Sequence, residues 1–231
     1  MADNIARVFA AAIAADPARP LLTWYDDATG ERTELSGATL ANWVAKTANL
    51  LVDELALSPG DPAGVLLPPH WQTAAVLLGC WSAGLTVRDE PGAVDVLFAA
   101  ADRVAEVDAW PAGDRYALAL APFAAPLREV PAGFADYVVE VRTHGDHFTP
   151  STQGGPADAD LLAEADARAT ALGISPGDRL LVDAAVHPDP RDWLLAPLLR
   201  RATVVLTGNA DPSRLAGRAD TERTTHTLPC L

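Results

Sequence analysis

Residues 151–156 read Ser-Thr-Gln-Gly-Gly-Pro, and of all the stretches in this chain their composition best suits an anion. Hydroxyls and the unhindered backbone N–H groups of glycines can cradle phosphate oxygens. Arg142, a few residues upstream, is a cation whose forked guanidinium binds phosphate well. Ser151, Thr152, Gly154, Gly155 and Arg142 therefore form a candidate nucleotide or anion site, with AMP or ATP as its ligand. The same Gly-Gly-Pro composition equally describes a flexible linker, which is the reading favoured here. His187 follows an apolar run and is a candidate for lining a ligand cleft, although Pro188-Asp189-Pro190 beside it also fits a plain turn. His144, Asp146 and His147 have a metal-like spacing, but no second cluster supplies further ligands, so no metal is expected. The carboxylate pairs Asp26-Asp27 and Asp89-Glu90 sit in a turn and before Pro91, where water solvates them. No Ser-His-Asp order with a nucleophile elbow occurs, and no Gly-x-Gly-x-x-Gly follows a strand. No catalytic residue can be named.

The elements that would position these residues belong to an α/β protein. With 231 residues, 49% hydrophobic and 21% charged, the chain can bury a sizeable core. A net charge of −14 excludes a nucleic-acid or anionic-membrane partner, both of which need Lys and Arg clusters. No run approaches the length of a membrane helix; the most apolar stretch, residues 73–87, reads as a buried helix entering a strand. The N-terminus lacks the positive region of a signal peptide. Two cysteines make neither a disulfide framework nor a metal set, which places the chain in the cytoplasm.

A repeat organises the chain. Residues 57–65 read Leu-Ser-Pro-Gly-Asp-Pro-Ala-Gly-Val and residues 174–182 read Ile-Ser-Pro-Gly-Asp-Arg-Leu-Leu-Val. Each copy follows a helical pattern (38–55 and 158–172), opens an apolar strand, and is followed by a Trp-bearing helix and a second strand (85–87 and 203–206). Two related units with parallel strands and right-handed crossovers are predicted. Around them the spacing predicts a helix from residue 5, a hairpin over 20–35, strands at 94–99, 116–121 and 134–141, and a short helix at 212–219. The expected division is a first α/β lobe at 1–141, a linker loop at 142–157 and a second lobe at 158–231.

Several of these stretches resemble the N-terminal part of the adenylate-forming superfamily of acyl-CoA synthetases, luciferases and nonribosomal adenylation domains. The carriers are Pro20-Leu-Leu-Thr, Glu34-Leu35, Gly60-Asp61 with residues 65–69, and Ala83-Gly-Leu-Thr-Val87. In the second unit they are Gly177-Asp178, residues 198–206, Asp211-Pro212 and Glu222-Arg-Thr-Thr-His226. The chain looks like a short stand-alone actinobacterial relative. The resemblance implies an ATP loop ending in Pro-Lys-Gly between the units, yet residues 151–156 contain no lysine, and Lys46 is the only lysine in the sequence. The family's ribose-binding acid and C-terminal catalytic domain have no counterpart before residue 231. The expectation is a non-catalytic remnant acting as a binding or protein-interaction module, with no obligatory cofactor. The alternatives are a nucleotide- or acyl-binding protein keeping part of the cleft, or a diverged acyl-activating enzyme completed by a partner chain. A truncated second sheet would expose the strand at residues 204–206, so a homodimer or heteropartner is expected to cover it.

Overall fold

The structure, a computed structural model, describes residues 4–151 and 154–228. Helix α1 (Ile5–Ile13) begins at Asn4, whose Oδ1 accepts the Arg7 N–H at 2.9 Å. A hairpin follows, β1 (Pro20–Asp26) and β2 (Glu31–Ser36), turned by Asp26 and Gly30. Ser36 caps α2 (Gly37–Asn49), which loosens into a π turn at Leu50–Glu54 before the first Ser-Pro-Gly-Asp. Then come β3 (Pro62–Leu66), α3 (Trp71–Ser82) and β4 (Thr86–Arg88). β5 (Val94–Ala100), a 3-10 segment (Ala101–Ala109), β6 (Ala112–Leu118), β7 (Ala135–Asp136) and α4 (Tyr137–Val141) complete the first half. The second half runs α5 (Asp158–Ala171), β8 (Arg179–Asp183), a π turn (Arg191–Leu195), α6 (Ala196–Leu199), β9 (Thr203–Gly208), α7 (Pro212–Glu222) and β10 (His226–Thr227).

The two Ser-Pro-Gly-Asp turns match bond for bond. Asp61 accepts the Ser58 N–H at 2.8 Å, and Asp178 accepts the Ser175 N–H at 2.7 Å. Gly60 and Gly177 both take a left-handed φ, 97° and 82°. Their N–H groups donate to the Gly84 and Arg200 carbonyls, each at 2.9 Å. The carbonyls of Asp61 and Asp178 then accept the first N–H of β4 and β9, at 2.9 and 2.8 Å. Each turn thus fixes the register of a parallel pair, Pro62 opposite Thr86 and Arg179 opposite Thr203. The strand that follows crosses to the far side in both units, giving β4-β3-β5 and β9-β8-β10. The repeat is one of topology as well as of letters.

Among the described residues the strands form two five-stranded sheets, β10-β8-β9-β1-β2 and β4-β3-β5-β6-β7, parallel except for the β1–β2 hairpin. Three expectations need correction. The sheets do not divide at residues 142–157, because β1 pairs in parallel with β9 (Leu22 opposite Val204) and carries 20–36 into the second sheet. For the same reason residues 204–206 are no edge: β9 is flanked by β8 and β1 and buried throughout, which removes the motive for a partner there. The strand expected over 134–141 is two residues of β7 followed by α4, because Asp136 Oδ1 accepts the N–H groups of Val138 and Val139 and starts a helix.

Between the sheets lies α3, with all twelve residues buried, as a helix covered on every side must be. Gly79 brings it against α2 so closely that an added Cβ would stand 2.5 Å from Thr47 Cγ2. The outer face of the second sheet is different. There α7 docks through charge: Arg218 forks onto Asp27 (2.6 and 3.2 Å) and lies over the Tyr25 ring, while Glu222 accepts from Tyr25, Arg32 and Arg179. Burial works to raise the Glu222 carboxyl, but hydrogen bonds from Tyr25, Arg179 and Arg32 outweigh it and hold it low. Hydrogen bonds from Arg218 hold Asp27 low as well, against a smaller burial effect.

Two predictions follow from these contacts. The residue after each helix that precedes a turn is left-handed, Gly173 with φ 70° and Ala56 with φ 54°. A side chain strains that conformation by about 1–2 kcal/mol, partly offset by glycine's greater freedom when unfolded. Ala56→Gly is expected to stabilise the chain by up to about 1 kcal/mol, and Gly173→Ala to destabilise it similarly, as read by urea unfolding. For α7, both carboxyls bind protons more weakly folded than unfolded, so their contribution is complete above the unfolded values and lost as pH falls. Stability should decline from about pH 5 downward, and Glu222→Gln should flatten that slope in a pH series of melts.

Candidate functional site

The segment expected to be a linker is held at several of its described residues. Lys46 donates to the His144 carbonyl, and Asn49 Nδ2 to those of Gly145 and His147 at 2.8 and 2.9 Å. His144 Nε2 meets Glu54 at 2.9 Å, and Asn4 Nδ2 donates to the Ser151 carbonyl at 3.0 Å. Gly155 lies where an added Cβ would stand 2.9 Å from Asp158 Oδ1 and 3.2 Å from the Gly84 carbonyl. Asp158 is itself buried, and its Oδ2 accepts the Ile5 N–H at 2.9 Å, so a carboxylate of the chain already sits at the start of α1. Thr152 lies outside the described residues. Arg142 is engaged elsewhere: its Nη2 donates to the Ala124 carbonyl at 2.9 Å and its guanidinium lies 5.9 Å from the Trp43 ring centre.

A cavity of about 520 Å³ lies between the two repeat units. One wall comes from the end of β3, from Thr73, Leu77 and Trp81 one turn apart on α3, and from β4. The other comes from Ala157, Asp160, Leu161 and Glu164 on α5, and from residues 188–195. Ser151, Gly154, Gly155, Arg142 and His187 do not line it. His187 stands immediately behind the second wall, fully buried, with Nδ1 3.5 Å from Asp192 Oδ2. Asp192 accepts from Arg168 at 2.8 Å, and Arg168 reaches Asp189 at 3.1 Å. Asp189 in turn takes a fork from Arg191, whose other nitrogen pairs with Glu164. This chain of ion pairs ties α5 to the loop after β8. Burial raises the Asp189 carboxyl less than the Arg191 and Arg168 contacts lower it, so it stays ionised.

A cavity of this size, apolar inside with charges at its rim, is of the kind that holds a small ligand. Burial pushes the Cys80 thiol up to about 12, which leaves it protonated and inert. Burial also lowers His70 to about 3, and its Nδ1 serves as an acceptor capping α3 from the Gln72 N–H at 3.1 Å. No group of three or more metal-ligating side chains occurs among the described residues, and no helix there is long and apolar enough to cross a membrane. The sequence signal for this site was the period-four spacing 73, 77, 81 and the mixed apolar and acidic face 157, 160, 161, 164, patterns that core helices share.

No family model matches the chain. A TIGR03089 family protein of Mycobacterium tuberculosis is 45% identical over 226 residues, 93% of this chain and 93% of its own length. An acyl-CoA synthetase of Brucella canis has the same fold, with TM-score 0.75 and 18% identity over 97% of this chain and 46% of its own. Acetoacetyl-CoA synthetase from Streptomyces lividans gives 0.72 and 20%, over 97% and 42%. The N-terminal domain of FACL13 from Mycobacterium tuberculosis gives 0.67 and 13%, over 98% and 62%. The chain thus spans less than half of each of the two synthetases.

The ion-pair wall yields a test. Asp192→Ala takes from Arg168 its nearer acid, leaving Asp189 at 3.1 Å, and removes a buried carboxylate beside His187, so it is expected to cost about 2 kcal/mol. Asp166→Ala, which breaks an exposed pair with Arg200 (2.5 Å), should cost less than about 1 kcal/mol. Equal losses in denaturant titrations would refute this ranking.

Proposed function

Since the chain belongs to the TIGR03089 family and has the fold of acyl-CoA synthetase N-terminal regions, we propose that it is a non-catalytic ligand-binding module on the adenylate-forming scaffold. The observation that carries this reading is the pairing of an open cavity with a closed loop. The interunit cavity of about 520 Å³ has room for a small apolar molecule. Gly155, in the segment where the resemblance implies an ATP loop, instead packs against Gly84 and Asp158. Stabilising an attack at the α-phosphate needs cations aimed at the phosphates. Lys46, the only lysine, is committed to a backbone carbonyl, and Arg142 is held by the turn at residues 123–124.

A second reading, a nucleotide binder using Ser151, Gly154, Gly155 and Arg142, is favoured only by the composition of that loop. The two readings differ in what stabilises the protein. ATP, AMP and CoA are expected to leave the melting temperature unchanged, and pyrophosphate exchange with ATP, Mg²⁺ and a broad carboxylate panel is expected to stay at background. Exchange above background that disappears in Arg142→Ala would replace this reading with that of a diverged active site.

A further inference from the structure

We propose that the interunit cavity takes an amine-bearing apolar ligand, a cationic amphiphile, in preference to a carboxylate or a phosphate ester. The inference rests on the reading of that cavity as a ligand site. The apolar walls include Val65, Leu77, Trp81, Leu161, Trp193 and Leu195, enough to hold an alkyl or aromatic body. Ionisable lining groups are Arg88 and Arg191 against Asp89, Asp160, Glu164 and Asp189, an excess of two negative charges. The two arginines are not equally available. Arg191 spends its guanidinium on Asp189, at 2.6 to 3.0 Å, and on Glu164. Arg88 remains as the lining cation without an ion pair among the described residues, and it is next in sequence to Asp89 and Glu90.

The carboxylates are unequal in the opposite sense. Asp189 and Glu164 are neutralised by arginine, whereas Asp89 and Asp160 have neither an ion pair nor a hydrogen bond among the described residues. They come from the two walls, Asp89 from the end of β4 and Asp160 from the first turn of α5. An ammonium at the mouth would therefore find two uncommitted anions, one from each repeat unit. The faces of the lining indoles add to the preference, since an aromatic face attracts a cation. The overall charge of −14 raises the local concentration of cations in the same sense. An incoming carboxylate would meet a single free guanidinium inside a negative field.

Calorimetry on the full chain with octylamine, octanoate and octanol, three probes with the same tail, tests the inference. Octylamine is expected to bind more tightly than the other two and to weaken as salt rises. The double variant Asp89→Asn/Asp160→Asn alters two exposed side chains, so its fold is secure; it should weaken octylamine by about five- to thirtyfold. Leu161→Trp, which fills the cavity from its half-buried wall, should abolish binding of all three. Octanoate binding more tightly than octylamine would overturn the charge assignment and leave the cavity reading intact. Binding by none of the three would overturn both. Octylamine binding that neither variant reduces would place the amine elsewhere and also overturn the proposal. Should Leu161→Trp fail to fold, the Asn pair alone decides.

Discussion

The aspartate that closes each Ser-Pro-Gly-Asp turn sets the geometry on which the rest is built. Its carboxylate accepts the serine N–H, and its carbonyl accepts the first N–H of the neighbouring strand. One residue thereby closes the turn, leads into β3 or β8, and fixes the register of the pair that follows. Because the side-chain period of a strand is two, a slip of one residue would turn every buried strand residue outward. Both walls of the cavity descend from these turns. Val65 and Val87 come from the first pair, and the loop after β8 comes from the second.

How the two units meet is decided by longer-range constraints. β1 extends the second sheet by pairing with β9, so the N-terminal hairpin acts as a clasp holding the far end of the chain. An added Cβ on Gly208 would stand 2.3 Å from Trp24, so glycine is required where β9 passes β1. The segment at residues 144–158 performs the same service on the other side, through Lys46, Asn49, Asn4 and Asp158. A strap tied at so many points holds the units at a fixed separation, and the cavity is the space that this separation leaves.

What was legible in the sequence follows from the range of the interactions. The repeat, the hairpin and most helices were readable because turn chemistry and helix periodicity are local. Residues 134–141 misled because Tyr137, Val138, Val139 and Val141 have strand character, and a single cap at Asp136 overrides it. The partner of β9 was invisible because it lies some 180 residues earlier. Composition made 142–157 look like a linker, since no local pattern announces that a distant lysine and two asparagines will bind its carbonyls. His187 was expected to line a ligand cleft, but its imidazole is buried beside Asp192 and does not line the cavity. Arg88, Asp89, Asp160 and Arg191 were missed as a group because they converge only when the two units are assembled.

Much of the charge on this scaffold is matched from within. The anion sites that the chain does form are filled from within: Asp158 sits at the start of α1, Asp27 and Glu222 receive the arginines under α7, and Asp189 takes those of α5 and the following loop. Eight of the sixteen arginines pair with a carboxylate among the described residues, and such pairs are lost only at the cost of leaving a charge uncompensated. An external phosphate would have to compete with fixed, pre-oriented acids at each of them. Of the cavity's carboxylates, Asp89 and Asp160 have no such partners among the described residues. At the cavity the fold leaves Asp89, Asp160 and Arg88 without an ion pair among the described residues, two negative charges against one positive.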